Sequence, residues 1–285
     1  MAGRFAILDF TCACTQCRCG FWILDFKHLL FELTEEGIAT ITINRPEARN
    51  AINTPLRHDF QALSELLLTD SAIKVVIFTG AGDEAFSAGG DISHFERAWL
   101  TPDFRAHGHG LTEFFNLLEV LEKPVIASVN GVATGAGLQL AMACDLRIAS
   151  TQARFGFREN FLNLIPGHGG TVRLVKLIGL TKAKELIFMG DFLDAPQAQA
   201  IGLVNRVVPP EALTGEVMAL AHKLRQRAPQ SLGLVKRLLM AATETDKASA
   251  LFLESLAQSV LIKTEDHQEG LRAFREKRQA KFTGE

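Results

Sequence analysis

Apolar residues along this chain change their spacing several times, and each spacing predicts a different element. The apolar segments 29–33 and 38–43, on either side of Glu35, Glu36 and Gly37, predict two short strands joined as a hairpin, the second rich in β-branched residues. Thr54 followed by Pro55 predicts a helix start, after which Leu56, Phe60, Leu63 and Leu67 recur at helical spacing. Strands buried on both faces are expected at 74–79, from the continuous apolar run of Val75, Val76, Ile77 and Phe78, and at 125–129, which repeats that signature. The first leads into Gly80, Gly82, Gly89 and Gly90, the second into Gly135 and Gly137. Helical spacing returns at 111–121 and a short strand is expected at 146–149. Beyond Gly169 the pattern is helical almost throughout, with one strand candidate at 204–208 and N-caps at Thr181 and Asp194. Helices are expected at 211–227, 231–242, 247–261 and 267–281, separated by Pro229 and polar breaks. Strand, glycine turn and helix thus occur twice, and no repeat or Gly/Ser linker divides the chain. An α/β core with a helical C-terminal region fits this pattern.

Composition narrows the class. With 47 % hydrophobic and 22 % charged residues, the 285-residue chain is neither disordered nor a charge-driven tail. A formal net charge of -2 gives no global attraction to nucleic acid or to an anionic membrane. The uncharged stretch 124–144 is long enough to span a bilayer, but it contains Asn130, Thr134 and Gln139 together with Gly131, Gly135 and Gly137. A buried strand, turn and helix is the better reading of it. Asp9 interrupts the apolar residues at 5–8, so no secretion signal is expected and the protein reads as soluble and cytoplasmic.

Four of the five cysteines, Cys12, Cys14, Cys17 and Cys19, crowd a poorly structured leader expected over residues 1–27. The spacing admits a metal site, but no second knuckle follows and the nearest histidine downstream is His28, so no metal is assigned. Disulfides would need an oxidising compartment. Cys144, in an apolar helical segment, is expected to be a buried small hydrophobe.

Glycine turns that leave buried strands let the backbone approach a ligand closely and aim free N–H groups at an anion or oxyanion. The two turns lie at 86–91, FSAGGD, and at 130–145, NGVATGAGLQLAMACD; neither is a phosphate loop or a dinucleotide fingerprint. With NRPEARNAI at 44–52, VVIFTGAGDEAFSAGGDI at 75–92, KPVIASVNGVATGAGLQLAMACD at 123–145 and RFGFRENFLNLIPGHGGTVRL at 154–174, the chain resembles the crotonase, or enoyl-CoA hydratase/isomerase, superfamily. The four motifs come in family order, and the resemblance covers about 28–282.

The resemblance implies a crotonase-like spiral of ββα units over 28–209 and a helical C-terminal trimerisation region over 210–285, assembling as a homotrimer or a dimer of trimers. It implies an acyl-CoA thioester substrate, with no cofactor beyond its CoA moiety. The thioester oxygen would be held by the N–H groups of Gly90 and Ala136, each pre-organised donor being worth about 3–4 kcal/mol as the enolate forms. Hydratases of the family use two glutamates. Here the second position is Glu159, but the first is Gln139, whose amide cannot exchange a proton at neutral pH. Glu159 is left as the acid/base, which favours double-bond isomerisation over efficient hydration. By motif position Ala48, Arg49 and Ala88 would contact CoA, and Lys277, Lys281 and Phe282 would reach its nucleotide in the same or a neighbouring subunit. Asp91 reads as a helix cap, Asp145 as structural and His168 as a backbone partner. Other reactions of the superfamily (decarboxylation, thioester hydrolysis, ring cleavage) stay open, as does a non-catalytic binder of acyl-CoA or RNA.

Overall fold

In a computed structural model that describes residues 26–96 and 99–285, the chain winds back and forth between two sheets. Strands β1 (Leu29–Leu33) and β2 (Ile38–Ile43) form the antiparallel hairpin. Helix α1 (Thr54–Thr69) leads to β3 (Val75–Gly80), parallel to β2, and the chain then steps into the second sheet with β4 (Ala85–Ser87). Helix α2 (Thr101–Val120) returns it to β5 (Val125–Val129) and then β6 (Val132–Thr134). Helix α3 (Ala136–Ala143) is followed by β7 (Leu146–Ser150) and β8 (Arg154–Gly156). After α4 (Gly170–Met189), β9 (Leu193–Asp194) pairs antiparallel with β8, and α5 (Ala195–Ala200) leads to β10 (Arg206–Val208). The large sheet has the order β1-β2-β3-β5-β7-β10 and the small one β4-β6-β8-β9. Successive turns from β3 to β8 lay one strand in each sheet and then a helix, the ββα unit that the resemblance implied. Helices α6 (Leu213–Arg225), α7 (Pro229–Ala242), α8 (Lys247–Leu261) and α9 (Glu265–Glu276) complete the described chain. Among the described residues no helix is long and apolar enough to cross a membrane. Cys12, Cys14, Cys17 and Cys19 lie outside the described residues.

The apolar run of β3 serves two cores by alternation: Val76 and Phe78 face the larger cluster with α1, α2 and α3, while Val75 and Ile77 face Leu213, Val217 and Ala221 of α6. Helices α1 and α2 meet through Phe60 and Phe114, whose rings stack with centroids 4.6 Å apart. Burial of each such ring contributes roughly 1.5–3 kcal/mol. Lys236 of α7 donates to Asp145 Oδ2 at 2.8 Å and to the Leu118 carbonyl at 2.6 Å, while Asp145 also accepts from Val125 N–H at 2.7 Å. Asp145 therefore ties the C-terminal helices to the core.

Several boundaries differ from the pattern. Helix α2 begins at Thr101 rather than 111, with Pro102 in its first turn and an exposed, polar N-terminal half that carries little apolar periodicity. Pro229 opens α7 instead of breaking the chain, because a first-turn proline sacrifices no intrahelical hydrogen bond. Thr181 lies inside α4, which is interrupted at Gly179 (φ 76°, ψ 162°), so the break falls on the glycine and not on the threonine. Asp194 caps α5 as expected, in a reciprocal capping box with Gln197. Val204 is buried in a loop and only Arg206–Val208 pairs as strand. Strands β4, β6, β8 and β9, of two or three residues each, are too short to produce a periodic signal.

Candidate active site

The two glycine turns abut. A Cβ on Gly89 (φ 89°) would lie 2.7 Å from the Thr134 carbonyl oxygen and 3.1 Å from the Ala136 nitrogen. The first turn is fixed by a bridge in which Ile52 N–H donates to the Gly89 carbonyl at 2.7 Å and Asp91 N–H donates to the Ile52 carbonyl at 3.1 Å. That bridge uses the flanking peptide groups and leaves the N–H of Gly90 directed away from Ile52. Asp91 caps the short helical turn that follows, accepting from Ser93 N–H at 3.2 Å, and Arg45 clamps it at 3.0 Å. The second turn passes through Gly135 at φ 54°, ψ -127°, a conformation open to glycine alone, and delivers Ala136 as the first residue of α3. The N–H of a first helical residue has no carbonyl one turn back inside the helix. Gly137 packs so closely on β4 that a Cβ would overlap the Ser87 carbonyl oxygen.

Gln139 lies on α3, 1 % exposed. Its Oε1 accepts from the backbone N–H groups of His168 at 2.7 Å and Gly170 at 3.1 Å. Both lone pairs of that oxygen are occupied, so Nε2 is turned the other way and donates to Glu159 Oε1 at 3.3 Å. Glu159 opens a short helical turn (Glu159–Leu162) and lies over Gly135, where a Cβ would come within 3.4 Å of Oε1. Its Oε2 is buried and makes no hydrogen bond among the described residues. Burial raises the Glu159 carboxyl above its usual range, partly offset by the N–H groups of Glu159 and Arg158 and by the Gln139 amide. The His168 ring shares a hydrogen with Thr112 Oγ1 at 2.9 Å and is pushed down to about 4, chiefly by burial and then by Arg57, His107 and Arg173. Its backbone is engaged on both sides, the carbonyl accepting from Arg173 at 2.6 Å.

Gly90, Ala136, Gln139, Glu159 and Ala88 all line one cavity of about 740 Å³, with Ile92, Phe95, Phe104, Leu162 and Ile165 among its apolar walls. Arg49 and Ala48 do not line it, although the Arg49 carbonyl accepts from Ala88 N–H at 2.9 Å. The Arg49 side chain is exposed and reaches Glu84 at 3.4 Å, a pair that water screens. Lys277, Lys281 and Phe282 are not brought to this cavity within one chain. Lys277 ends α9, the Lys281 N–H donates to Glu269 at 2.9 Å, and Phe282 lies beside Gly270. Sequence reading missed Arg57, which lines the cavity from α1. Nothing in its helical position distinguishes it from a solvated charge, since its burial comes from residues supplied by α2 and the loop at His168. Among the described residues no cluster of His, Cys, Asp or Glu is arranged to hold a metal.

Comparison with known proteins bears on the family and the fold. A family model described as enoyl-CoA hydratase/isomerase matches residues 33–285. The chain is 39 % identical over 261 residues to the crotonyl-CoA hydratase of Syntrophomonas wolfei, covering 91 % of this chain and 99 % of that one. It is 42 % identical to the short-chain-enoyl-CoA hydratase of Clostridium acetobutylicum, over 86 % and 94 % of the two chains. The crystal structure of an enoyl-CoA hydratase from Bacillus anthracis superposes with a TM-score of 0.87 at 34 % identity, covering 91 % of this chain and all of that one.

Proposed function

The chain belongs to the enoyl-CoA hydratase/isomerase family, and from that premise we propose that it moves the double bond of a 3-enoyl-CoA to the 2-position, with hydration a minor activity. In this reading Glu159 Oε2 removes a proton from carbon 2 of the thioester. The charge passes to the thioester oxygen, held by the N–H groups of Gly90 and Ala136, and the same carboxyl returns the proton to carbon 4. One proton leaves and one arrives, so the double bond shifts with no other reactant. The desolvated Glu159 suits that exchange, because a carboxyl with a raised pKa both takes and returns a proton near neutral pH more readily.

The orientation of Gln139 carries the proposal. A water poised to add must give up a proton and attack with a lone pair. A carboxylate at position 139 would accept from that water, whereas the Gln139 Nε2 offers only donors toward Glu159. The relatives are named as hydratases, so substrate comparison decides between the two reactions. Purified enzyme is expected to turn over 3-hexenoyl-CoA about 10²–10⁴ times faster than it hydrates 2-hexenoyl-CoA. Glu159→Gln should lower isomerisation by a similar factor, and Gln139→Glu should raise hydration. Efficient hydration by the wild type, or isomerisation that survives Glu159→Gln, would exclude the single-carboxylate route.

A second copy of the chain completes the proposal. Helix α8 buries no residue within the single chain, and its Leu251, Phe252, Leu256 and Val260 are exposed, as is Ile262 just beyond it. We assign this surface to subunit contacts in a trimer. Arg49 and the backbone around Ala88 would meet CoA at the cavity mouth, with Lys277, Lys281 and Phe282 serving the nucleotide of a neighbouring subunit.

A further inference from the structure

Arg57 enters the same cavity as Glu159, yet no element of the mechanism uses it. Its Nη1 donates to the His107 carbonyl at 3.4 Å, while Nε is buried without a partner among the described residues. Among the described residues Arg57 makes no ion pair, and the neighbouring Arg173 is itself a cation. Arg173 is already engaged by Glu119 at 2.6 Å and Asn116 at 2.7 Å. Burial lowers the Arg57 guanidinium to about 10, with no neighbouring carboxylate to offset the cost. Its positive charge also helps to keep the His168 ring neutral. A contact path joins Arg57 to the reacting groups: Arg57 to the His107 carbonyl, then Gly108 and Thr112 of α2 against the His168 ring, then the His168 N–H to Gln139.

A half-buried cation without a counter-ion carries a desolvation cost that a ligand supplying the missing charge would offset. We propose that the acyl group accepted here carries a second carboxylate, so that the substrate is the CoA monothioester of a dicarboxylic acid and Arg57 receives its free carboxylate. This rests on the acyl-CoA reading given above. Arginine suits the task because its planar fork of donors matches a carboxylate, and Nε and the terminal nitrogens can bind together once the ligand arrives. The apolar walls supplied by Ile92, Phe95, Phe104 and Ile165 would pack the methylene groups between the two carbonyl carbons.

Saturated thioesters separate this proposal from the reaction, since they bind without turning over. Titration calorimetry on the full chain would compare glutaryl-CoA with pentanoyl-CoA and adipyl-CoA with hexanoyl-CoA. The wild type is expected to bind at least one carboxylated member about tenfold more tightly than its neutral partner. Arg57→Met should collapse that ratio toward one, and Arg57→Lys should restore part of it, with melting temperatures checking that the variants are folded. Equal or weaker binding of both carboxylated thioesters by the wild type overturns the proposal, as does a ratio that survives in Arg57→Met. Uniform weakening of all four ligands in that variant would assign Arg57 to the CoA moiety and would also overturn it. Failure of the wild type to bind any of the four would instead reject the acyl-CoA reading on which the proposal stands.

Discussion

Gln139 faces Glu159 with its amide nitrogen because two backbone N–H groups already hold its oxygen. In the proposed mechanism Glu159 is then the carboxyl beside the Gly90 and Ala136 N–H groups, and its ionisation should govern the acid side of the rate profile. In the proposed shift Glu159 must be deprotonated at the outset, and burial raises its pKa, so activity should be lost as pH falls through a value above the usual glutamate range. A plot of kcat/KM for 3-enoyl-CoA against pH should show that single displaced limb; a limb at the ordinary glutamate position would mean the carboxyl is solvated. Glu159 and Gln139 are legible in the sequence, since both stand at fixed places in motifs whose order is unmistakable. Arg57 is not. A helical charge next to Leu56 looks like any solvated cation until α2 and the His168 loop cover it.

Helix α3 shows how little freedom the elements have around those residues. All eight of its residues are buried, and it sits against β4 at a distance that only glycine permits at position 137. A Gly137→Ala methyl would overlap the Ser87 carbonyl and lie 2.7 Å from Ser87 Cβ. The helix would have to lift, taking the Ala136 N–H with it. We expect this variant to lose about 1–3 kcal/mol in denaturant unfolding and to lose activity beyond what its folded fraction explains. A variant as stable and active as the wild type would mean that α3 has room to spare. The long strands and amphipathic helices of this framework were predictable because they repeat over enough residues to give a period. The second sheet was not, for its strands are recognised by their partners in space and not by any repeat of their own.

At the scale of the whole molecule, α8 leaves a row of apolar side chains exposed within the single chain, the surface proposed above for subunit contacts. Light scattering at micromolar concentration should report a trimer or a multiple of it, and a double substitution Phe252→Asp, Leu256→Asp on α8 should shift the mass to the monomer while far-UV circular dichroism is retained. A wild-type monomer would leave the exposed row on α8 without the partner assigned to it. The C-terminal helices were visible as periodic segments, but their attachment through Lys236 to Asp145 and Leu118 joins residues about a hundred positions apart, which no local pattern encodes. Taken by itself, the sequence determined the alternation of strands and helices, the two glycine turns and the single carboxylate among the candidate groups, because these depend on neighbours along the chain and on side-chain chemistry. Only the tertiary structure decided which way the Gln139 amide points, that Arg57 is drawn into the cavity, and that Lys277, Lys281 and Phe282 lie away from it in one chain. Those outcomes follow from contacts between distant segments, where competing hydrogen bonds and burial are settled only once the layers have packed.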